Sequence, residues 1–417
     1  MRLIWTYMAA AVCLPAMAQS LPALVREALQ NNREILAAQK RYEAARQRPG
    51  IESSLPDPTV SLGYTSNGEP WPVAGLGTAV TSNVGVMVSQ EMPFPGKLKL
   101  RGEIASKEAE AEFQQYLSVR LSVAARLKAA YHELHHAYVS IDSIQRSQAL
   151  LREFIRVAEA RYAVGRAAQQ DVFRADTQYS ILEAQALRMQ EERTAKEAEI
   201  LSLVNRPPGG SIHIPEDLPP GELKASLQDL YAHARTEAPA LRREQKLIER
   251  SELATNLARK GYDPDYTISG GYFNQGGMAP MYQFRVDFKL PAYFWRKQRP
   301  AVAEQVNALS EARHNYEASS QLLNARIKEA YVTAQTAGRL MDLYSKSVIP
   351  EAKLALESSM ASYETGALDA LSVLTNLMTV VDYELNYHEE MMRSFLALDQ
   401  LEEMTGLGLD KTGEVTK

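Results

Sequence analysis

The chain has a single cysteine, Cys13, in 417 residues. With no second thiol it can form no internal disulfide. Beyond the N-terminus no stretch approaches the ~18 unbroken apolar residues that a membrane-spanning helix needs. Neither sign of charge dominates. A net charge of -5 and a pI near 5.9 give no electrostatic basis for binding nucleic acid. Proline is missing from Leu98 to Tyr162, which leaves that stretch free to be one very long helix.

The N-terminus explains the lone cysteine. MRLIWTYMAAAVCLPAMAQS has Arg2, an apolar run from Leu3 to Leu14 and the small-x-small site Ala16-Met17-Ala18. These are the parts of a secretory signal peptide, predicted over residues 1–18. Cys13 falls inside it. Val12 before it is bulky and Ala10 stands where an acylated lipoprotein has leucine, so the processed chain is expected to carry no thiol chemistry.

What the sequence does have, it has twice. Asp57-Pro58 opens a strand-like run, and Asp263-Pro264 opens another 206 positions later. At the same offset Leu24, Ala28 and Ile35 fall on Leu230, Ala234 and Leu241. Pro93 matches Pro291, Ala130-Tyr131 matches Ala330-Tyr331, and Tyr162-x-x-Gly165 matches Tyr363-x-x-Gly366. The repeats are predicted over 19–204 and 226–409. A Pro/Gly-rich crossover (205–225) separates them, and a polar tail (410–417) is expected to be disordered.

Each repeat contains two runs with strand periodicity, about 57–67 and 82–93 in the first and 263–274 and 281–291 in the second. Phe284, Val286, Phe288 and Leu290 alternate with Arg285, Asp287 and Lys289, so one face is apolar and the other charged. The other runs alternate similarly. Aromatic residues cluster at the strand ends, as in the girdles of a membrane barrel. Helices are expected at about 21–53, 98–162, 168–204, 226–258 and 301–363, with Pro350 kinking the last. Leu127, Tyr131, Leu134, Tyr138 and Ile141 recur at steps of 4 and 3, the seam of a coiled coil. Ile327, Tyr331, Ala334 and Met341 repeat it. Four strands cannot close a barrel, and an open edge in lipid would leave backbone groups unpaired. Closure therefore calls for several chains.

The duplicated unit, QEMPFPGKLKLRGEIA (Gln90 to Ala105), and Arg161-Tyr162-x-x-Gly165 followed by Asp171-Val172 together resemble the TolC family of outer-membrane efflux ducts. The resemblance covers nearly all of the processed chain. It implies a mainly α fold with a small β part: long antiparallel coiled-coil helices forming a trimeric α-barrel, and four strands per chain contributing to a 12-stranded outer-membrane β-barrel. It implies a passive homotrimeric conduit in outer-membrane lipid, without catalytic residue, cofactor or bound metal. Its partners would be a periplasmic adaptor and an inner-membrane pump of the resistance-nodulation-division type. The proline–glycine strand end and the short chain look most like the metal-exporting branch. A drug-efflux or secretion duct is the alternative, followed by a soluble periplasmic coiled-coil adaptor.

On this resemblance Tyr162, Gly165, Arg166, Ala167, Tyr363, Gly366, Ala367 and Leu368 form the periplasmic tip that docks the adaptor. Asp171, Asp369, Ser372 and Thr375 are the candidates for the pore constriction. In the second repeat serine and threonine stand where family members often carry aspartates. Arg285, Asp287 and Lys289 would line the barrel lumen. A competing motif, His132-Glu133-Leu134-His135-His136, fits the H-E-x-x-H zinc site of metalloproteases. Yet it lies on the coiled-coil seam, and Val332 to Thr336 in the other repeat holds no histidine. It is expected to be plain helix surface.

Overall fold

The computed structural model describes residues 20–407 apart from 68–69, 215–217, 220 and 222. The signal peptide with Cys13, and the polar tail, lie outside the described residues. Two compact units are built from alternating pieces of chain. One takes the residues up to Leu36, Val119–Ala234 and those from Leu323 onward; the other takes Ala37–Ser118 and Arg235–Leu322.

The first predicted helix is three: α1 (Leu21–Asn31), α2 (Arg33–Ala45) and α3 (Arg48–Ser53). Asn32 breaks it. Its backbone is extended, and its Oδ1 accepts the N–H groups of Glu34 (2.9 Å) and Ile35 (3.3 Å), capping α2. Its Nδ2 donates to the Leu203 carbonyl at 2.9 Å. The second repeat breaks at the matching position, Ala238, where Pro239 starts a new helix without needing a donor. The expected 226–258 helix is accordingly α6 (Leu227–Glu237) and α7 (Pro239–Arg259).

Helix α4 runs unbroken over Lys97–Ala163, and α5 over Gln169–Leu203. The second long helix is α8 (Gln298–Leu343), a π turn at Tyr344–Val348, and α9 (Ile349–Thr365), followed by α10 (Ala370–Thr405). The wide turn sits immediately before Pro350. It absorbs the missing N–H and the ring's bulk, giving a π-bulge at the predicted kink.

In the first unit the seam residues Leu127, Tyr131, Leu134 and Ile141 are buried, as are Ile327, Ala334 and Met341 of the second copy. Ile144, Leu151, Phe154, Leu182, Leu356, Tyr363, Val373 and Leu377 form one continuous core among α4, α5, α9 and α10. The crossover is tied down by Arg206, whose Nε and Nη2 donate to the two Glu27 carboxylate oxygens at 2.7 and 2.5 Å, and by fully buried Ile212. In the second unit Lys107, Glu110, Lys246 and Glu249 close a ring of ion pairs at 2.9–3.2 Å that joins α4 to α7. Among the described residues no helix is long and apolar enough to cross a membrane.

Candidate functional site

Four strands, β1 (Thr59–Thr65), β2 (Asn83–Met92), β3 (Asp265–Asn274) and β4 (Met281–Lys289), form one antiparallel sheet in sequence order. The two repeats meet at β2 and β3. Register fixes what each face contains, because residues directly opposed in antiparallel strands share a side. Val60 pairs with Val88, Leu62 with Val86 and Tyr64 with Val84. Val86 pairs with Tyr272, which pairs with Tyr282, while Ile268 pairs with Val286 and Tyr266 with Phe288. One face is therefore a continuous apolar field across all four strands. It is bare: Leu62 is 83% exposed, Phe284 75% and Phe288 62%.

The opposite face is polar. Arg285 Nε lies 2.9 Å from Asp287 Oδ2, Lys289 Nζ 2.5 Å from Glu91 Oε1, and the Ser89 and Ser269 hydroxyls are 3.0 Å apart. The three charged β4 residues thus share one side of the sheet. One ring breaks the pattern there. Phe273 lies over Gly85 and Gly271, where an added Cβ would come within 2.3 and 2.7 Å of it. The signal in the sequence is the pair Tyr272-Phe273, which puts an aromatic on each side.

In the first unit, Gly165 (φ +71°) and Gly366 (φ +83°) are left-handed. These conformations end α4 and α9 and suit glycine. Tyr162, Arg166 and Ala367 are exposed, Ala167 and Leu368 half-buried. Tyr363 does not join that surface. It is 3% exposed, its ring 5.0 Å from Phe154, so it holds the helices together rather than meeting a partner. Burial, and Asp171 nearby, push its hydroxyl pKa up.

Arg161, which the sequence pattern did not single out as a contact, stacks its guanidinium 4.4 Å from the Tyr363 ring centre and donates to the Arg166 carbonyl at 3.3 Å. It thereby braces the turn after α4 against the end of α9. Asp369 caps α10 by accepting the Ser372 N–H at 3.1 Å. Ser372 adds its hydroxyl to the same oxygen, and these bonds hold the Asp369 carboxyl pKa down. Thr375 turns its hydroxyl back to the Leu371 carbonyl at 2.8 Å. Asp171 lies in the first turn of α5.

The H-E-x-x-H stretch is not helix surface. His132 and His135 are each 5% exposed. The His132 ring stacks on Phe395 of α10 at 4.2 Å, and its Nε2 lies 3.6 Å from Asp399 Oδ2. Glu133 instead pairs with Lys196 of α5 at 2.6 Å, so the would-be ligand and base serve different neighbours. Burial, with His135 and Lys128 alongside, drives the His132 pKa down to about 3. Burial and His136 lower His388 to about 4. Among the described residues no group of three His, Cys, Asp or Glu side chains is placed to hold a metal ion.

The sheet is apolar on one side and polar on the other, and its strands lead into long helices. Comparison with solved structures gives the same fold. The outer-membrane channel OprN superposes with a TM-score of 0.80 at 17% identity, over 93% of this chain and 90% of its own. CusC gives 0.80 at 15%, over 97% and 100%. VceC of Vibrio cholerae gives 0.78 at 18%, over 94% and 97%. No curated protein matches by sequence. The model of the outer membrane efflux protein family matches residues 24–206, the first repeat with its crossover edge.

Proposed function

We propose that this chain is the outer-membrane channel of a tripartite efflux system. Three copies would close a 12-stranded barrel from four strands each and continue it as a helical tunnel. The conduit is passive. Its tip docks a periplasmic adaptor and, through it, an inner-membrane pump of the resistance-nodulation-division type, and the cargo is metal cations. The supporting observation is the bare apolar face on a sheet whose outer strands, β1 and β4, have no partner on their far sides among the described residues. In water that face would be a large unburied patch, and in lipid the open edges would each cost several kcal/mol per unpaired group. Closure by further copies relieves both. The metal cargo rests on Pro93, Pro95 and Gly96, which follow β2.

The test begins with fractionation. The protein should sediment with the outer membrane and run as a trimer in mild detergent; recovery as a soluble monomer would contradict the barrel. Phe284→Arg or Phe288→Arg should block assembly, because a cation on the lipid face costs about 2–4 kcal/mol near the midplane. Asp287→Ser, on the opposite face, should assemble normally. Deleting the gene should sensitise cells to divalent or monovalent transition-metal cations. Unchanged metal tolerance with heightened drug sensitivity would contradict the cargo while leaving the channel intact.

A further inference from the structure

The stretch that follows β4 is unlike the rest of the surface. Leu290, Tyr293, Phe294 and Trp295 are all exposed, and Arg296, Lys297 and Arg299 come directly after them. The turn is held from within. Arg296 and Lys297 donate their N–H groups to the Tyr293 carbonyl at 3.0 and 3.1 Å, and Arg299 donates to the Phe294 carbonyl at 2.8 Å. The rings brace one another: Trp295 meets Phe294 edge-on at 5.1 Å and Tyr293 at 6.2 Å, while Phe294 lies 6.5 Å from Tyr262.

The three cations are the second half of the pattern. Among the described residues their side chains make no hydrogen bond or ion pair. Lys97, at the matching junction of the first repeat, behaves differently, donating to Asp265 at 2.8 Å and to the Asp263 carbonyl at 2.9 Å. Three uncompensated cations beside three exposed rings, in a chain of net charge -5, call for an occupant that is apolar on one side and anionic on the other. The end of a lipid-facing sheet supplies one. Aromatic rings settle at the boundary between acyl chains and headgroups, and Lys or Arg just beyond it meets phosphate.

We infer that residues 290–299 form a binding surface for anionic phospholipid headgroups, with Tyr293, Phe294 and Trp295 at the boundary and Arg296, Lys297 and Arg299 on the phosphates. This rests on the outer-membrane channel reading and extends it from lipid in general to a lipid class.

Trp295 is itself the reporter. The chain has three tryptophans; Trp5 lies in the expected leader, so Trp71→Phe leaves Trp295 alone. That protein is reconstituted into phosphatidylcholine vesicles containing phosphatidylglycerol, with bromine on the acyl chains of one lipid or the other. Brominated phosphatidylglycerol should quench Trp295 at about fivefold lower mole fraction than brominated phosphatidylcholine, and half-molar salt should erase the difference. Arg296→Gln with Lys297→Gln and Arg299→Gln should keep the quenching and lose the preference. Equal quenching by both lipids in the unsubstituted cations would overturn the inference. So would a protein that floats with the vesicles yet shows no quenching, because the turn would then be packed against a neighbouring chain. Failure to float with vesicles at all would instead defeat the channel reading beneath it. Should the triple variant not assemble, the lipid preference and its salt dependence in the parent decide the matter.

Discussion

The two long helices descend from one repeated pattern and end in different surroundings. Around its middle α4 is enclosed: Ala130, Tyr131 and His132 are consecutive and all buried, as are Leu134 and His135. Consecutive positions point in different directions around a helix, so α4 has neighbours on more than one side. In α8 the buried positions are Ile327, Ala330, Ala334, Ala337 and Met341, a single stripe at steps of 3 and 4. Leu322, Val332 and Leu343 on its other faces are about half exposed. One copy of the pattern is finished within the chain and the other is left open, as expected if a second protomer covers α8 in the proposed trimer.

That contrast can be broken in graded steps. Leu134→Ala in α4 removes a fully buried side chain and should cost about 2–5 kcal/mol of chain stability, read from denaturant unfolding. A smaller loss would show that α4 is not enclosed as described.

His132 makes the same point through pH. Its folded pKa of about 3 lies below its ordinary 6.5, so above pH 6.5 neither state is protonated and the full stability is present. As pH falls from 6.5 toward 3 the unfolded chain takes up a proton that the folded chain refuses, and stability drops by on the order of 4 kcal/mol. His132→Asn should flatten that part of the stability–pH curve. An unchanged slope would mean that the imidazole reaches solvent.

Gly366→Val forces a branched side chain into a left-handed backbone and should cost about 1–2 kcal/mol. The strain stays at the tip, where the Arg161 guanidinium lies 3.2 Å from the position an added Cβ would take. Trimer yield should hold while cross-linking to the adaptor falls. Loss of the trimer would show that this glycine serves only the fold. The smallest effect on the chain alone should be Val332→Glu on the open side of α8, within about 0.5 kcal/mol. Its consequence should appear in assembly, as a reduced trimer fraction by sedimentation.

Much of this was legible beforehand because two periodicities carry it. Alternation along β4 and the 3.5-residue seam of α4 each report directly on which side faces what. Context-dependent features were less visible. The break at Asn32 comes from one side chain whose two ends bond α2 and Leu203, a tertiary coincidence that periodicity does not register. Pro350 marked a disturbance but not the π turn that accommodates it. Tyr363 and Tyr162 occupy matching positions in the repeats, yet one is buried and the other exposed, because Arg161 and Phe154 cover only the first. The histidines were misplaced for the same reason. Val332 to Thr336 suggested an unremarkable surface, whereas α4 at that level is surrounded.

The two faces of the sheet are the centre of the account, and the lack of cysteine beyond Cys13 makes them directly measurable. Single cysteines placed in turn from Met281 to Lys289, in the protein assembled in native outer membranes, can be labelled with a water-soluble maleimide. Positions 281, 283, 285, 287 and 289 should react, and 282, 284, 286 and 288 should be protected until detergent is added. Uniform reactivity along the strand, or protection with the opposite phase, would contradict a sheet with lipid on one side and a water-filled lumen on the other.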